Sequence, residues 1–346
     1  MKHTLLPLLA CPACGGYPLA LAVSRATRET AWSAHVSGDA PGYDRKARTM
    51  EDVLEGTLTC EACGRTYPVS NGIPRLLTDP DRAPPASAHA WTTFDKAERV
   101  WEEAFLDVIQ PLEPADFLGR TALDAGAGFG RNALFAARYG AEVVALDESP
   151  EAVDAARRNL AGLFSAHVVQ GDVTAPPFRE GAFDLVFCLG VLHHLREPRP
   201  AFDRLGRLLP SGGRLSVWVY GPRQGFTALA NRALRSLTTQ MEPRQLHRVS
   251  RGIALGLRVF SHTPTRYLEP IPVLRGVVHH LPVHDHHRWP FPVVVADVYD
   301  RLRIPVTHTF TGETVEKWFE DQGFVDIVVT RRVRNNESFR GTGVRR

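Results

Sequence analysis

The residues best suited to chemistry in this chain begin with a run of alternating glycines. An apolar stretch ends in an acid and continues as Leu-Asp-Ala-Gly-Ala-Gly-Phe-Gly, from Leu123 to Gly130. Because glycine has no Cβ, such a turn between a strand and a helix lets a ligand approach the backbone closely. The start of the helix adds free N–H groups and a partial positive charge. The pattern predicts a small-molecule pocket walled by Asp124, Gly126, Gly128 and Gly130.

Acidic residues also follow the next two predicted strands. Asp147 ends the second strand, about 20 residues after the first glycine, where an acid can accept hydrogen bonds from ribose hydroxyls. Asp172 lies just beyond the third strand. Three acids around one pocket do not suit a pyrophosphate. They suit a ligand that carries hydroxyls, an amine and a positive charge.

A second group with chemical potential consists of four cysteines in two Cys-x-x-Cys pairs, Cys11, Cys14, Cys60 and Cys63. Thiolates bind Zn²⁺ tetrahedrally, and four of them leave no open position for catalysis. We therefore expect structural zinc in a reducing compartment, and a cytoplasmic location. The alternative is a metal-free ribbon with four thiols. A redox role is disfavoured because neither pair begins a helix after a strand.

The order of predicted elements positions the glycine turn and the acids. Strands and helices alternate from Thr121 to Tyr220, which indicates a parallel sheet with helices on both faces. Predicted strands cover residues 122–125, 142–147, 166–170, 183–189, 214–220 and 324–330. Predicted helices cover residues 94–109, 132–139, 150–160, 227–259 and 311–319.

Changes in composition and a segment rich in proline, aspartate and alanine divide the 346 residues into three predicted parts. Residues 1–77 form a zinc-ribbon-like domain, 78–118 a linker with a helix, and 119–346 the main domain with an insertion at about 222–306. Residues 24–52, between the cysteine pairs, are polar and predict a long loop. A net charge of +3 does not by itself argue for nucleic acid, and no apolar run approaches the length of a bilayer span, so we expect no membrane partner.

Residues 120–220, with the closing helix and strand at 311–330, resemble the class I S-adenosylmethionine-dependent methyltransferases of the type-11 branch. The glycine motif carries the resemblance, together with the segments Gly190–Leu195 and Pro210–Leu215. A nicotinamide enzyme would instead have Gly-x-Gly-x-x-Gly. The resemblance implies an α/β fold with a doubly wound, mostly parallel, seven-stranded Rossmann-like sheet and a mainly helical insertion after the fifth strand.

The same resemblance implies the roles of particular residues toward S-adenosylmethionine. Asp147 would bind the ribose, Asp172 and Val173 would flank the adenine, and the backbone of Leu189 would touch the methionine end. Asp124 and the three glycines would complete the cofactor site.

The cysteine unit resembles small zinc-ribbon proteins that activate certain tRNA and translation-factor methyltransferases. Residues 8–12 and 64–77 carry this resemblance. It implies that a protein partner could bind through the ribbon. Some members of that group lack cysteines, so the scaffold can fold without metal.

Histidines are the candidates for a general base, because methyl transfer to an oxygen or nitrogen of high pKa needs a proton acceptor. His194 and His193 follow the fourth predicted strand, beside the expected methyl group; packing is the alternative role. His284 lies in a cluster with neighbouring histidines and Asp285, for which a surface loop or a second metal site are alternatives. His308, Tyr299 and Asp300 are weaker candidates of the same kind.

These observations predict an enzyme that methylates a small-molecule acceptor on oxygen or nitrogen, in secondary metabolism or glycan biosynthesis. One alternative is an rRNA or tRNA methyltransferase that uses the ribbon for RNA or partner binding. It is less favoured because basic residues do not concentrate in the zinc unit. A second alternative is a non-catalytic scaffold, against which the intact acids and glycines argue.

Overall fold

The structure is a computed structural model that describes residues 1–31, 48–79, 100–222, 235, 237–278, 281, 283, 286–304, 306–334 and 336–346. Its strands are Leu19–Ala31 (β1), Arg48–Cys60 (β2), Thr66–Ser70 (β3), Ile73–Pro74 (β4), Thr121–Ala125 (β5), Glu142–Asp147 (β6), Ala166–Gln170 (β7), Leu185–Leu189 (β8), Arg214–Tyr220 (β9), Phe324–Arg334 (β10) and Asn336–Arg345 (β11). Its α-helices are Val100–Val108 (α1), Arg131–Arg138 (α2), Pro150–Asn159 (α3), Pro198–Arg207 (α4), Pro243–Leu257 (α5), Thr263–Leu268 (α6), Pro272–Val278 (α7), Phe291–Arg303 (α8) and Gly312–Asp321 (α9).

The main sheet has seven strands in the order β10-β11-β9-β8-β5-β6-β7. Pairs β5–β6, β5–β8, β6–β7 and β8–β9 are parallel, and β11 runs antiparallel to both of its neighbours. The chain order reverses between β5 and β8, which makes their carboxyl ends the topological switch point where ligands bind in such sheets. The predicted α/β, doubly wound, seven-stranded fold is confirmed.

The strand β11 was not located from the sequence. The glycines of β11 explain why its sequence shows only a weak strand pattern and why helix α9 can pack closely on it. A Cβ on Gly341 would lie 2.7 Å from Cγ1 of Val315, and one on Gly343 would lie 2.8 Å from Cδ1 of Phe319. Helix α9 therefore packs directly on the backbone of β11. Helix α9 begins at Gly312, and Thr311 caps it as predicted: its hydroxyl accepts a hydrogen bond from the Thr314 N–H.

The four strands β1-β2-β3-β4 form a separate antiparallel sheet in the cysteine unit. The predicted loop at 24–52 is wrong where the structure describes it, because β1 continues to Ala31 and β2 begins at Arg48. Side chains from Ala22 to Ala26 are exposed on both faces of β1, so there is no apolar alternation to indicate a strand. Residues 32–47 lie outside the described residues.

The insertion after β9 is helical where it is described. The predicted helix at 227–259 is only partly correct: residues 223–234 lie outside the described residues, a turn follows at 239–240, and α5 begins at Pro243. A π-helical turn, Arg258–His262, joins α5 to α6. Buried Leu246 and Tyr299 belong to the core between α5 and α8. None of the helices described has both the length and the apolar character needed to cross a membrane.

The cysteine unit docks on the free edge of the main sheet, at β7. Arg75 pairs in parallel with Gln170, and the Leu76 N–H donates to the Gln170 carbonyl at 2.8 Å. The Arg75 guanidinium also donates to Asp154 at 2.7 Å. Residues after β4 thus cover an edge that would otherwise leave backbone groups unpaired. The domain boundaries at 1–77, 78–118 and 119–346 stay a prediction.

Lys2 is a second anchor between the two units, and its loss should weaken their contact. Its ammonium donates to the carbonyls of Leu163, Phe164 (2.8 Å) and Ala166 (2.7 Å), and the residue is 6% exposed. We expect Lys2→Ala to lower the free energy of unfolding by about 2–4 kcal/mol, because three carbonyls lose a charged donor. Urea titration measures the change.

The matched control for Lys2→Ala is His3→Ala, the next residue along the chain. His3 faces Glu51 at 3.6 Å, with about half of each side chain exposed. Such surface pairs contribute little. Equal losses for the two variants would contradict an anchoring role for Lys2.

Candidate active site and candidate metal centre

The glycine turn after β5 is held in a conformation that requires glycine. Gly126, Gly128 and Gly130 have φ values of +84°, +55° and +79°. The N–H of Gly126 donates to the Leu146 carbonyl at 2.8 Å, which ties the turn to β6. A Cβ on Gly126 would lie 2.4 Å from Cγ2 of Val191. The turn therefore packs closely against the loop that follows β8.

This packing predicts a larger cost for Gly126→Ala than for Gly119→Ala. Gly119 also has positive φ, +69°, but a Cβ there meets nothing within 4 Å. Gly119→Ala should cost about 1 kcal/mol from backbone strain alone, and Gly126→Ala about 2–4 kcal/mol because overpacking is added. Urea unfolding of both variants tests the difference. Equal costs would mean that Val191 moves aside freely.

Asp147, at the end of β6, fixes the glycine turn from the other side. Its Oδ2 accepts a hydrogen bond from the Gly128 N–H at 2.9 Å, and its Oδ1 accepts one from the Ser149 N–H at 3.0 Å. Burial raises the pKa of the Asp147 carboxyl, and these two donors partly counteract the rise. Asp147 thus connects the glycine turn to Ser149, the N-cap residue of α3.

Asp124, the last residue but one of β5, is a buried acid. It is 1% exposed, and neither carboxylate oxygen has a hydrogen-bond partner among the described residues. Burial raises the pKa of its carboxyl to about 8. The backbone N–H of Ala133 and the charge of Arg131 lower this pKa, and Asp147 raises it further. A cationic ligand group would satisfy this carboxylate. The site therefore fits the ammonium or sulfonium of S-adenosylmethionine.

The remaining predicted cofactor residues lie at the same edge of the sheet. The Oδ1 of Asp172 accepts hydrogen bonds from the Thr174 N–H and hydroxyl, both at 2.7 Å, in the turn after β7. Val173 and Leu189 are buried, and Leu189 ends β8. The three acids thus follow three adjacent strands. Their roles toward a cofactor stay predictions.

Arg131, the first residue of α2, is a site residue that the sequence analysis missed. Its guanidinium carbon lies 4.4 Å from the centre of the Trp101 ring. Burial lowers the pKa of Arg131, while the nearby carboxylates of Asp300, Asp124 and Asp297 raise it. Its position directly after the glycine motif was the feature of the sequence that could have identified Arg131 as a site residue.

Asp300, a residue of the insertion, places a carboxyl group near Arg131. It lies on α8, and its Oδ1 is buried with no hydrogen-bond partner among the described residues. Burial raises the pKa of the Asp300 carboxyl to about 7, and Arg131 lowers it. The insertion thus contributes an acid to the electrostatics of the pocket.

The structure brings three of the candidate histidines together. His193 is fully buried and stacks on Tyr220, with ring centres 3.8 Å apart. Nδ1 of His194 lies 3.0 Å from the Val306 carbonyl, and the His308 N–H donates to the His193 carbonyl at 2.8 Å. Donation from Nδ1–H of His194 places the lone pair of its neutral ring on Nε2. His194 can then act as a base at Nε2.

The other histidine cluster is only partly described. His284, with His279, His280 and Asp285, lies outside the described residues. His286 stacks on Trp289 with ring centres 3.6 Å apart, and its Nδ1 lies 3.6 Å from Oδ2 of Asp297. Within the described ranges, no second group of histidine, cysteine or acid residues besides the four cysteines could hold a metal ion.

The four cysteines converge in a geometry that fits Zn²⁺. The Sγ atoms of Cys11 and Cys63 are 3.7 Å apart, those of Cys14 and Cys60 are 3.6 Å apart, and all four lie within 4.8 Å of one another. A tetrahedron with Zn–S bonds of about 2.3 Å has edges of about 3.8 Å. The sulfur atoms are therefore already spaced for a tetrahedral zinc ion.

The knuckle turns explain how the sequence achieves this spacing. Gly15 and Gly64 follow the two pairs with φ of +74° and +73°, and their N–H groups donate to the carbonyls of Cys11 and Cys60, both at 2.8 Å. The hydroxyl of Tyr67 lies 3.1 Å from Sγ of Cys11. Cys188 is a buried core residue on β8, as predicted, and does not belong to the four-cysteine group.

The strand order and the glycine turn define a Rossmann-like α/β fold, with acids at the ends of β5, β6 and β7 near its switch point. Family comparisons agree with this assignment. Residues 123–217 match the family model described as "Methyltransferase domain", and residues 2–72 match "Trm112p-like protein". Both resemblances found in the sequence are confirmed for these segments.

Individual relatives match mainly in the methyltransferase segment. The chain is 34% identical over 120 residues to a demethylmenaquinone methyltransferase of Clavibacter sepedonicus, covering 35% of this chain and 47% of that protein. It is 38% identical over 119 residues to a ubiquinone biosynthesis O-methyltransferase of Xanthomonas oryzae pv. oryzae, covering 33% and 49%. The chain thus spans about half the length of these curated relatives.

Among solved structures, the chain matches the magnesium protoporphyrin IX methyltransferase of Synechocystis PCC 6803. Its TM-score is 0.40 at 18% identity, covering 75% of this chain and 84% of that one.

Proposed function

We propose that this chain transfers a methyl group from S-adenosylmethionine to an oxygen or nitrogen of a small-molecule acceptor. The observation that carries the proposal is the buried Asp124 carboxylate beside the glycine turn, which fits a cationic ligand. The related demethylmenaquinone and ubiquinone methyltransferases are named for small-molecule acceptors, which supports an acceptor of that size.

The proposed mechanism assigns each residue a binding or proton-transfer task. Bound S-adenosylmethionine would supply a methyl group on a sulfonium, and S-adenosylhomocysteine would leave when the acceptor takes that methyl group. Asp124 would provide the counter-charge, Asp147 would accept hydrogen bonds from the ribose hydroxyls, and Asp172 with Val173 would flank the adenine. The Leu189 backbone would contact the methionine end.

The acceptor is proposed to bind on the side covered by the insertion. His194 takes the acceptor's proton at Nε2, while the Val306 carbonyl holds its Nδ1–H. His308, whose Nε2 is buried with no hydrogen-bond partner among the described residues, lies beside His193 and completes this side. Orientation by the pocket and proton removal together lower the barrier to transfer.

Location and partners of the whole chain follow from the cysteine unit. We propose a cytoplasmic location, because four thiolate ligands suit a reducing compartment. The match to Trm112p-like proteins supports a protein partner at the ribbon.

Calorimetry with S-adenosylmethionine and S-adenosylhomocysteine tests the proposal directly. We expect one cofactor site per chain. No binding at millimolar ligand would leave the scaffold alternative. Transfer of a radioactive methyl group to cell extract then identifies the acceptor class: label in the small-molecule fraction supports the proposal, and label in RNA would replace it with RNA methylation. His194→Gln should lower turnover without changing cofactor affinity.

A further inference from the structure

Exposed apolar side chains concentrate on one part of the insertion. Phe260 is 77% exposed and Val273 is 87% exposed, although both belong to well-formed helical turns. The exposed apolar residues of this part are Leu255, Val259, Phe260, Tyr267, Ile271, Val273 and Val277. We call these seven residues the apolar patch of helices α5–α7. Exposed apolar residues in such numbers mark an interaction surface.

The spacing of the patch residues places them in stripes along the helices. Leu255 and Val259 are four residues apart across the end of α5, and Val273 and Val277 are four apart on α7, so each pair lies on one helix face. The buried residues Ala254 and Val278 are the sequence neighbours of Leu255 and Val277, so they lie about 100° around each helix from these exposed residues. The helices therefore have one face in the core and an apolar face that no described residue covers.

The charge of the same helices is strongly positive. From residue 243 to residue 278 there are six arginines, Arg244, Arg248, Arg251, Arg258, Arg266 and Arg275, and a single acid, Glu269. The Glu269 carboxylate lies 3.6 Å from Nε2 of His287. The whole chain has a net charge of only +3, which means that positive charge is concentrated here.

We propose that helices α5–α7 dock the protein on the surface of an anionic lipid bilayer. Exposed aliphatic and aromatic side chains flanked by arginines are the composition of helices that lie in a membrane interface. A second copy of the chain is disfavoured because it would bring two arginine-rich surfaces together. Nucleic acid is disfavoured because most patch residues are aliphatic and cannot stack on bases.

Peripheral docking revises the expectation of no membrane partner. That expectation was based on the absence of a spanning segment, which interfacial helices do not need. Five of the arginines are exposed and can reach lipid phosphates: Arg244, Arg248, Arg251, Arg266 and Arg275. Arg258 differs, since its guanidinium donates to the Trp289 carbonyl at 3.0 Å.

Vesicle sedimentation with the full chain tests the proposal. We expect the protein to sediment with phosphatidylcholine vesicles that contain phosphatidylglycerol, and at least about tenfold less with pure phosphatidylcholine or at high salt. The double variant Phe260→Ser, Val273→Ser should lose binding about tenfold, and Arg251→Glu, Arg275→Glu should lose it on the anionic vesicles. All four side chains are exposed, so folding should be unchanged.

The matched control is the double variant Tyr17→Ser, Leu118→Ser, which removes exposed apolar residues outside the insertion. It should bind vesicles like the wild type. Absence of wild-type binding to anionic vesicles, or an equal loss in the control, would overturn the proposal. So would a dimer in sedimentation velocity that the Phe260, Val273 variant abolishes, because a second copy would then be the occupant.

Discussion

Asp124→Asn is expected to weaken S-adenosylmethionine binding about 100-fold, which corresponds to about 2.7 kcal/mol. The variant keeps the shape of the side chain and removes the negative charge that the ligand's cationic groups would pair with. A charged partner that is fully buried contributes this much or more to binding. Asparagine keeps a carbonyl oxygen that can face the nearby Ala133 N–H, so the fold should tolerate the change.

The pH dependence of binding follows from the same carboxyl. Its pKa is raised to about 8 in the free protein. A cationic ligand favours the ionised form, so binding below pH 8 must release a proton. Affinity should therefore rise about tenfold per pH unit up to about pH 8 and level off above it. Calorimetry in buffers with different ionisation heats measures the proton release, which Asp124→Asn should abolish.

Stability gives an independent readout of Asp124. A carboxyl whose pKa is raised by folding binds its proton more tightly in the folded state. Its contribution to stability is complete below the unfolded pKa of about 4 and is lost as the pH rises to about 8. Asp124→Asn should thus melt at a higher temperature than the wild type at pH 9, and the difference should shrink toward pH 5.

The control for these measurements is Asp321→Asn, which removes an acid on the outer end of α9. Asp321 pairs with Arg199 at 2.9 Å, and its side chain is 42% exposed. It should leave cofactor affinity and proton release unchanged. Unchanged binding in Asp124→Asn would mean that the pocket does not hold a cation at this carboxylate.

The parallel core was predictable from the sequence because its signals are local. Strands β6, β7 and β9 have the predicted bounds, and Val143–Leu146 is buried throughout, as a continuous apolar run indicates. The glycine turn was predictable for the same reason, since three glycines and the preceding acid lie within one short segment. When a strand, a turn and a helix follow one another directly, their relative positions are determined by residues that are close in the sequence.

Features that depend on distant partners were not predictable. Arg131 lies over Trp101, which belongs to a helix 30 residues earlier, and nothing near Arg131 indicates that aromatic partner. His194 contacts Val306, 112 residues away. In strand β11, Gly341 and Gly343 leave room for side chains of α9. From the sequence alone, these glycines indicate a turn or a bulge and not a regular strand.

Removal of zinc is expected to unfold the cysteine unit. Each chain should hold one zinc ion, and Cys60→Ser should lose it, since Cys60 is a buried member of the four-sulfur group. Structural zinc contributes on the order of 10 kcal/mol to the folding of small zinc domains. Elemental analysis and thermal unfolding with and without a chelator measure both effects.

Cys188→Ser separates loss of metal from loss of core packing. Cys188 is fully buried in the main sheet, so its replacement should lower stability while the zinc content stays at one per chain. Full stability of Cys60→Ser, together with no response to chelator, would establish the metal-free ribbon instead.

Loss of zinc should also affect the main domain, because the cysteine unit pairs with the edge strand β7 of the main sheet. Cys60 is the last residue of β2, β2 pairs with β3, and β3 pairs with β4. Arg75, the residue directly after β4, pairs with Gln170 on β7. If the ribbon unfolds, the backbone groups of β7 lose their cover and can pair with another chain. Hydrogen exchange should therefore increase at Gln170 in Cys60→Ser and remain unchanged at β8, in the middle of the sheet. Exchange confined to the ribbon would show that the two units fold independently.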